Sequence, residues 1–339
     1  MKQKDFFHRD LSFDYMKGVL ILLVVLGHTL GFIQINGSHI SHNEDYLGNL
    51  IYIFHMPLFV LVSGYFFAKS IDKPIIDIVV KQFNRLLIPE IVVDIIGLVI
   101  IFILWPILSD KIADNGVISI KKLYHYLTSE WFLFCIFFCS ITVILFKTLF
   151  KEKWFFSISV FMIILLYFQK FLPGVIFHNQ QLIKQLPFFT LGILLNKNIS
   201  NIRQFKLEIL ILSSIIVSFY LLHNIADGNN LSFGFRKELI CLGFVSIAYV
   251  AIKALYRARF FVDPFCLLGT NTLGIYIFSN YFFSFVLKTI GFKIDVGDLF
   301  WNYFIALLFS IIICYLFVYI NNIIRKSRKL AFLFLGEKY

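Results

Sequence analysis

Arg9, Asp14, Lys17 and His28 share one apolar stretch, RDLSFDYMKGVLILLVVLGH, and the spacing of the last three is that of a helix face. Eleven residues separate Lys17 from His28, which on an ideal helix puts them about 20° apart in projection and about 16 Å apart along the axis. Asp14 lies one turn before Lys17 and about 40° from His28. A polar stripe inside hydrocarbon is costly and normally faces a bundle interior or a water-filled cavity. An imidazole titrates near pH 7, so at such a place it can take a proton from a hydroxyl or carry a transferred group covalently. The plainer alternative is a basic flank that anchors the helix and one interior histidine bonded to a neighbour.

A second constellation follows in FHMPLF (54–59) and SGY (63–65). His55 falls about two turns inside the same face as His28, on the next helix. Pro57 cannot donate to the helix ladder, so a kink is expected beside His55. Farther on, Lys81, Gln82, Asn84 and Arg85 precede Pro89. With Arg9 and Lys17 they are expected to form a basic vestibule, because the guanidinium fork suits phosphate and lysine adds point charge. The competing explanation is a loop that touches anionic lipid. Glu130 opens another apolar run, where a carboxylate could orient a histidine or hold a hydroxyl, and Trp131 reads as an interfacial anchor. Asp94 lies inside an apolar run and needs a role or a partner.

The elements that must carry these groups are membrane helices. The chain has 339 residues, is 59% hydrophobic with a mean hydropathy of +0.83, and contains 43 Phe. A soluble domain of this length could not place so much apolar surface. The net charge of +11 comes from short clusters between apolar runs, without a nucleic-acid-reading motif, so nucleic acid is excluded as a partner. Five cysteines, all in or beside apolar runs, form neither a disulfide framework nor a metal motif, and no metal is expected. Runs long enough to cross a bilayer fall near 15–35, 49–68, 87–108, 131–150, 154–172, 182–196, 207–223, 237–256, 265–288 and 299–321. The run at 182–196 is short, and 265–288 is interrupted by Gly269, Asn271 and Gly274. No small-residue cleavage pattern follows Leu30, so the first helix is expected to be retained. With the N-terminus in the cytoplasm, the inner segments hold most of the lysines and arginines, which places both termini inside. The fold class is therefore all-α: a polytopic bundle of about ten transmembrane helices, with 1–339 as one integral membrane domain and no internal repeat.

The blocks R-x4-D-x2-K-G-x8-G-H, F-H-M-P-L-F-x3-S-G-Y, R-L-x2-P, E-W-F-L, P-F-F-x-L-G and N-T-L-G-I-Y together resemble the membrane acyltransferase family 3, over about residues 6–280. The resemblance implies a domain of roughly ten helices that takes an acyl group, usually acetyl from cytoplasmic acetyl-CoA, and delivers it to a sugar hydroxyl on the outer side. It implies that His28 is catalytic, that Lys17 is the basic residue of the first helix, and that His55, Ser63 and Gly64 belong to the second block. Two departures stand out: Lys17 replaces an arginine found in many members, and Ser279 replaces a histidine that often follows the I-Y block. The first keeps charge but loses bidentate phosphate geometry. Without an added extracytoplasmic domain, the chain looks like the stand-alone type that decorates exported polysaccharide or its lipid-linked precursor.

The resulting expectation is a bacterial inner-membrane O-acetyltransferase with acetyl-CoA as acyl donor and a sugar or polysaccharide acceptor. His28 acts as general base or acyl carrier, assisted by His55 or Glu130. Lys17, Arg9, Arg85 and Asp14 form the donor site at the cytoplasmic mouth of a tunnel. The rival reading is a proton-coupled or lipid-linked sugar transporter using His28, Asp14 and Asp94 as a relay, which would carry inverted repeats.

Overall fold

Asp10 starts the first helix. Its carboxylate accepts from the Ser12 amide at 2.9 Å, matching one of the donors a helix N-terminus leaves bare, and α1 (Leu11–Leu30) then runs unbroken. Asp45 does the same for α2 (Tyr46–Phe67) through the Gly48 amide at 2.8 Å. Pro57 sits inside α2 without ending it. Its missing N–H deprives the Ile53 carbonyl of a helical partner, and the Cys241 thiol donates to that oxygen at 2.9 Å.

The computed structural model describes residues 10–35, 37–39, 45–103, 131–168, 179–197, 234–287 and 290–337. After α2 come α3 (Ile75–Gln82), a π-turn over Phe83–Leu87, α4 (Ile88–Ile103), α5 (Trp131–Phe150), α6 (Trp154–Phe168) and α7 (Asn179–Lys197). Then follow α8 (Gly234–Arg257), α9 (Val262–Thr270), α10 (Thr272–Tyr281), a second π-turn over Phe282–Leu287, α11 (Leu299–Ile324) and α12 (Arg328–Leu335). Two-residue strands β1 (Gln34–Ile35) and β2 (Ser38–His39) pair antiparallel beyond the end of α1. Every apolar run read as a span meets a helical segment except 207–223, which lies outside the described residues. Among the described residues, five helical stretches are long and apolar enough to cross a membrane: Leu11–Leu30, Tyr46–Phe67, Trp131–Leu165, Ile240–Arg257 and Leu299–Ile324.

Two helix pairs meet at backbone contact. A Cβ at Gly18 would lie 1.8 Å from the Phe265 carbonyl oxygen, and one at Gly269 would lie 1.7 Å from that of Asp14, so α1 and α9 are pinned through reciprocal glycines. Gly64 and Gly192 do the same for α2 and α7, each site 2.0 Å from a carbonyl oxygen of the other helix. In lipid, where apolar side chains gain nothing by leaving hydrocarbon, close packing of this kind drives association. The outward faces carry exposed apolar side chains such as Ile95, Ile103, Phe156, Ile163 and Ile312, which suits a lipid-facing surface. On α11 the inward face mixes small and polar residues, Asn302, Ala306, Ser310, Cys314 and Asn321, with buried Ile313, Phe317 and Val318, and the Ser310 and Thr29 hydroxyls bond at 2.9 Å.

The run at 265–288 breaks at Asn271, between α9 and α10. The break is held from inside and from α11. The Asn271 amide donates to the Leu267 carbonyl at 2.8 Å, its Oδ1 accepts from Arg325 at 2.5 Å, and Asn321 donates to its backbone carbonyl at 3.3 Å. Backbone groups freed at a helix break within a membrane must find such partners.

Candidate active site

A cavity of about 660 Å³ opens at the end of the bundle where α1 begins, and its mouth is basic. Lys17 comes from α1, Lys69 from the turn after α2, Lys81 from the last turn of α3 and Arg85 from the π-turn. A π-turn widens the helix by one residue, and such turns recur at functional sites. Lys17 is held in place by Asp14, whose Oδ1 lies 2.8 Å from Nζ while the carboxylate itself is buried. The Lys17 and Lys69 ammonium groups both approach the Phe66 ring, at 5.6 and 5.7 Å from its centroid, a distance at which cation and ring attract. The cavity surrounds Arg85 with protein while leaving its surface accessible, and that enclosure lowers its pKa from the usual arginine value. The guanidinium remains charged and is accessible to an anion in the cavity. Deeper in, the walls become apolar: Val24, Phe59, Val62, Phe132, Ile136 and Phe189. The cavity therefore suits an elongated ligand with an anionic end and a less polar arm.

His28 faces a second cavity, of about 520 Å³, at the opposite end of α1. Gly27 and Gly31 leave its α1 wall open, while Phe32, Tyr52, Phe283 and Phe292 surround it with rings, and Ser284 and Lys293 add polar groups. Aromatic faces beside a few hydrogen-bonding groups are a lining that accepts a ring-shaped polar ligand. The His28 imidazole lies nearly parallel to the Phe283 ring, centroids 5.9 Å apart. Backbone pairing ties together the segments that carry Phe32 and Phe292: Ile33 bridges Ile294, the Gln34 amide donates to the Ile294 carbonyl at 2.8 Å, and the Ile294 amide donates to the Phe32 carbonyl at 3.0 Å. Buried Asn302 ties both strands, donating to the Gln34 carbonyl at 3.1 Å and accepting from the Val296 amide at 2.9 Å.

The structure brings the predicted residues together in two groups. Lys17, Asp14 and Arg85 line the basic cavity and His28 lines the other. Their linings on α1 end at Val24 and resume at Gly27, with His28 one turn, about 6 Å, beyond Val24. His55 does not line the His28 cavity. It is buried, its Nδ1 lies 2.6 Å from the Ile51 carbonyl, and Tyr52 packs edge-on against it at 5.1 Å. Tyr52 in turn lines the His28 cavity, so His55 stands behind the ring that faces it. Arg9 and Glu130 lie outside the described residues, next to Asp10 and to the start of α5. Asp94 accepts from the Tyr281 hydroxyl across 187 positions of sequence and does not line the His28 cavity. Asp14 and His28 are about 21 Å apart along α1, which separates the groups a proton relay would need.

Sequence reasoning missed Lys69, Tyr52, Lys293 and Asn302. Lys69 resembled any loop lysine, and Asn302 resembled an ordinary interior asparagine. A signal for Tyr52 was present, since it stands three residues before His55 and so on the same helix face.

A family model described as an acyltransferase domain matches residues 10–319. Two curated relatives are each called nodulation protein NolL. The one from Mesorhizobium japonicum is 45% identical over 64 residues, 19% of this chain and 17% of the relative. The one from Sinorhizobium fredii is 44% identical over 64 residues, with the same shares. The match thus spans 17% of the length of either relative. No solved structure matches the chain.

Proposed function

This chain belongs to the membrane acyltransferase family 3, and from that premise we propose that it is an O-acyltransferase that moves an acetyl group from cytoplasmic acetyl-CoA to a sugar hydroxyl across a bacterial inner membrane. The observation that carries this reading is the placement of Lys17 and His28 on one continuous helix, each facing its own cavity, with the two linings one turn apart. The basic cavity takes the donor. Lys17, Lys69, Lys81 and Arg85 hold the phosphates at the mouth, and the pantetheine arm runs along the apolar walls toward Val24. The His28 cavity takes the acceptor, an exported polysaccharide or its lipid-linked precursor, against its aromatic walls.

In direct transfer, His28 removes the proton of the acceptor hydroxyl as its oxygen bonds to the thioester carbonyl carbon. The C–S bond then breaks, CoA leaves as thiolate, and the thiolate takes up a proton. In the covalent variant the imidazole nitrogen attacks first, CoA leaves, and the hydroxyl takes the acetyl group from the acyl-imidazole. Both use the same side chain at the same place. A trapped acetyl-imidazole on His28 separates them. His55 braces the Tyr52 wall, and Glu130, beside α5, assists at the acceptor side. Both termini lie in the cytoplasm, about ten helices span the membrane, and 1–339 acts as one domain; the clustering of positive charge at the donor mouth supports this orientation.

The test is purified protein in liposomes supplied with labelled acetyl-CoA on the Lys17 side and candidate glycans on the other. Label should reach the glycan with wild type and not with His28→Ala. Undiminished transfer by the variant would remove His28 from the mechanism, and proton-driven sugar flux without transfer would replace this reading with a transporter.

A further inference from the structure

The segment after α11 reaches back to the donor cavity. It lies past the stretch shared with the family, which ends at 319. α12 begins at Ser327, whose side chain caps the Leu330 amide, and buries Ala331 and Leu335 while packing against α4 and the π-turn that carries Arg85. It stops at Gly336, with φ of +61°, a left-handed conformation that a side chain disfavours. A Cβ there would lie 2.5 Å from the Arg85 carbonyl oxygen and 2.7 Å from its Cα. The backbone of the segment is therefore seated directly on the backbone of Arg85.

The next residue closes the arrangement. Glu337 accepts from Arg325 Nε at 2.9 Å, and the same guanidinium donates to Asn271 Oδ1 at 2.5 Å and to the Thr270 carbonyl at 3.3 Å. Asn271 is the break between α9 and α10, and the residues just after it, Thr272 and Leu273, line the donor cavity. One short segment thus touches two walls of the cavity: the π-turn through Gly336, and the α9–α10 break through Glu337 and Arg325.

We propose that Gly336, Glu337 and Arg325 are positioning residues that hold Arg85 and the Thr272 wall at the spacing the donor's phosphates require. The role in donor binding rests on the reading of the basic cavity as the acetyl-CoA site. The seating of the segment on the π-turn does not. Gly336 packs against the π-turn where only a residue without Cβ fits.

The experiment compares wild type, Gly336→Ala, Glu337→Gln and Arg85→Ala as full-length protein in detergent. It measures CoA affinity by calorimetry and hydrogen exchange of the 83–87 amides. Gly336→Ala should speed exchange at 83–87 and weaken CoA roughly 3- to 10-fold, the size of coupling expected between groups in contact. Glu337→Gln should act in the same direction with less effect, which guards against a fold loss specific to the glycine change. Adding Gly336→Ala to Arg85→Ala should weaken CoA no further. Unchanged exchange in Gly336→Ala would overturn the proposal, as would faster exchange with unchanged affinity, or equal losses with and without Arg85. Wild type that fails to bind CoA would overturn the donor reading and with it the binding role. Wild type that binds CoA while both tail variants match it would overturn the tail's role alone.

Discussion

Lys17→Met removes one partner of a buried ion pair and keeps most of the side chain's bulk. In the native protein Nζ lies 2.8 Å from Asp14 Oδ1, with the lysine side chain 20% and the carboxylate 4% exposed. Removing one member of such a pair costs about 3–5 kcal/mol, because the other charge is left in a poor solvent. Access of cavity water on the lysine side brings the expected loss to the lower end, about 3 kcal/mol. For a chain of this size that is a fall of roughly 5 °C in the apparent melting temperature, read at a fixed scan rate in one detergent. Asp14→Asn combined with Lys17→Met removes both charges and should recover most of the stability. It should not recover CoA affinity, because the cation at the donor mouth is gone. Asp14→Asn alone keeps that cation and should bind CoA at least as well as wild type. Stability and binding therefore move separately across the four proteins. If the double variant melts as low as Lys17→Met, the buried pair is not the source of the loss; if Lys17→Met binds CoA normally, Lys17 does not hold phosphate.

His28→Ala should lower acetyl transfer by about 10²–10⁴-fold while CoA affinity, measured by calorimetry, stays within error, because His28 lines the other cavity. Gly192→Leu should leave no monodisperse protein on size exclusion, since even its Cβ would sit 2.0 Å from the Leu61 carbonyl oxygen; a normal elution profile would refute the backbone contact of α2 and α7. Tyr281→Phe deprives buried Asp94 of its hydroxyl donor and should cost about 1–3 kcal/mol in thermal unfolding, with transfer per folded molecule unchanged. Arg85→Lys should retain more CoA affinity than Arg85→Ala but show a steeper loss with added salt, because a single ammonium replaces a planar fork.

The features legible in the sequence are those that a helix repeats locally. The stripe of Asp14, Lys17 and His28 follows from 3.6 residues per turn, and α1 carries those residues without a break. The membrane class follows from apolar runs that have no other stable environment. Gly269, Asn271 and Gly274 marked the interrupted run, and the break falls at the asparagine.

What the tertiary structure alone decided is which faces meet. Cys241 finds the carbonyl that Pro57 leaves open, 188 positions away, and Tyr281 finds Asp94 at 187. Nothing in either local pattern encodes the other member. The same is true of the two cavities. Helix periodicity put Lys17 and His28 on one face of α1, but Lys69, Lys81 and Arg85 beyond α2 make the hollow at one end basic, and Tyr52 of α2, Phe283 of the second π-turn and Phe292 make the one at the other end aromatic. Periodicity is a property of a single helix, whereas a cavity is the space several helices leave unfilled. That space depends on where glycines let backbones touch and where rings hold them apart.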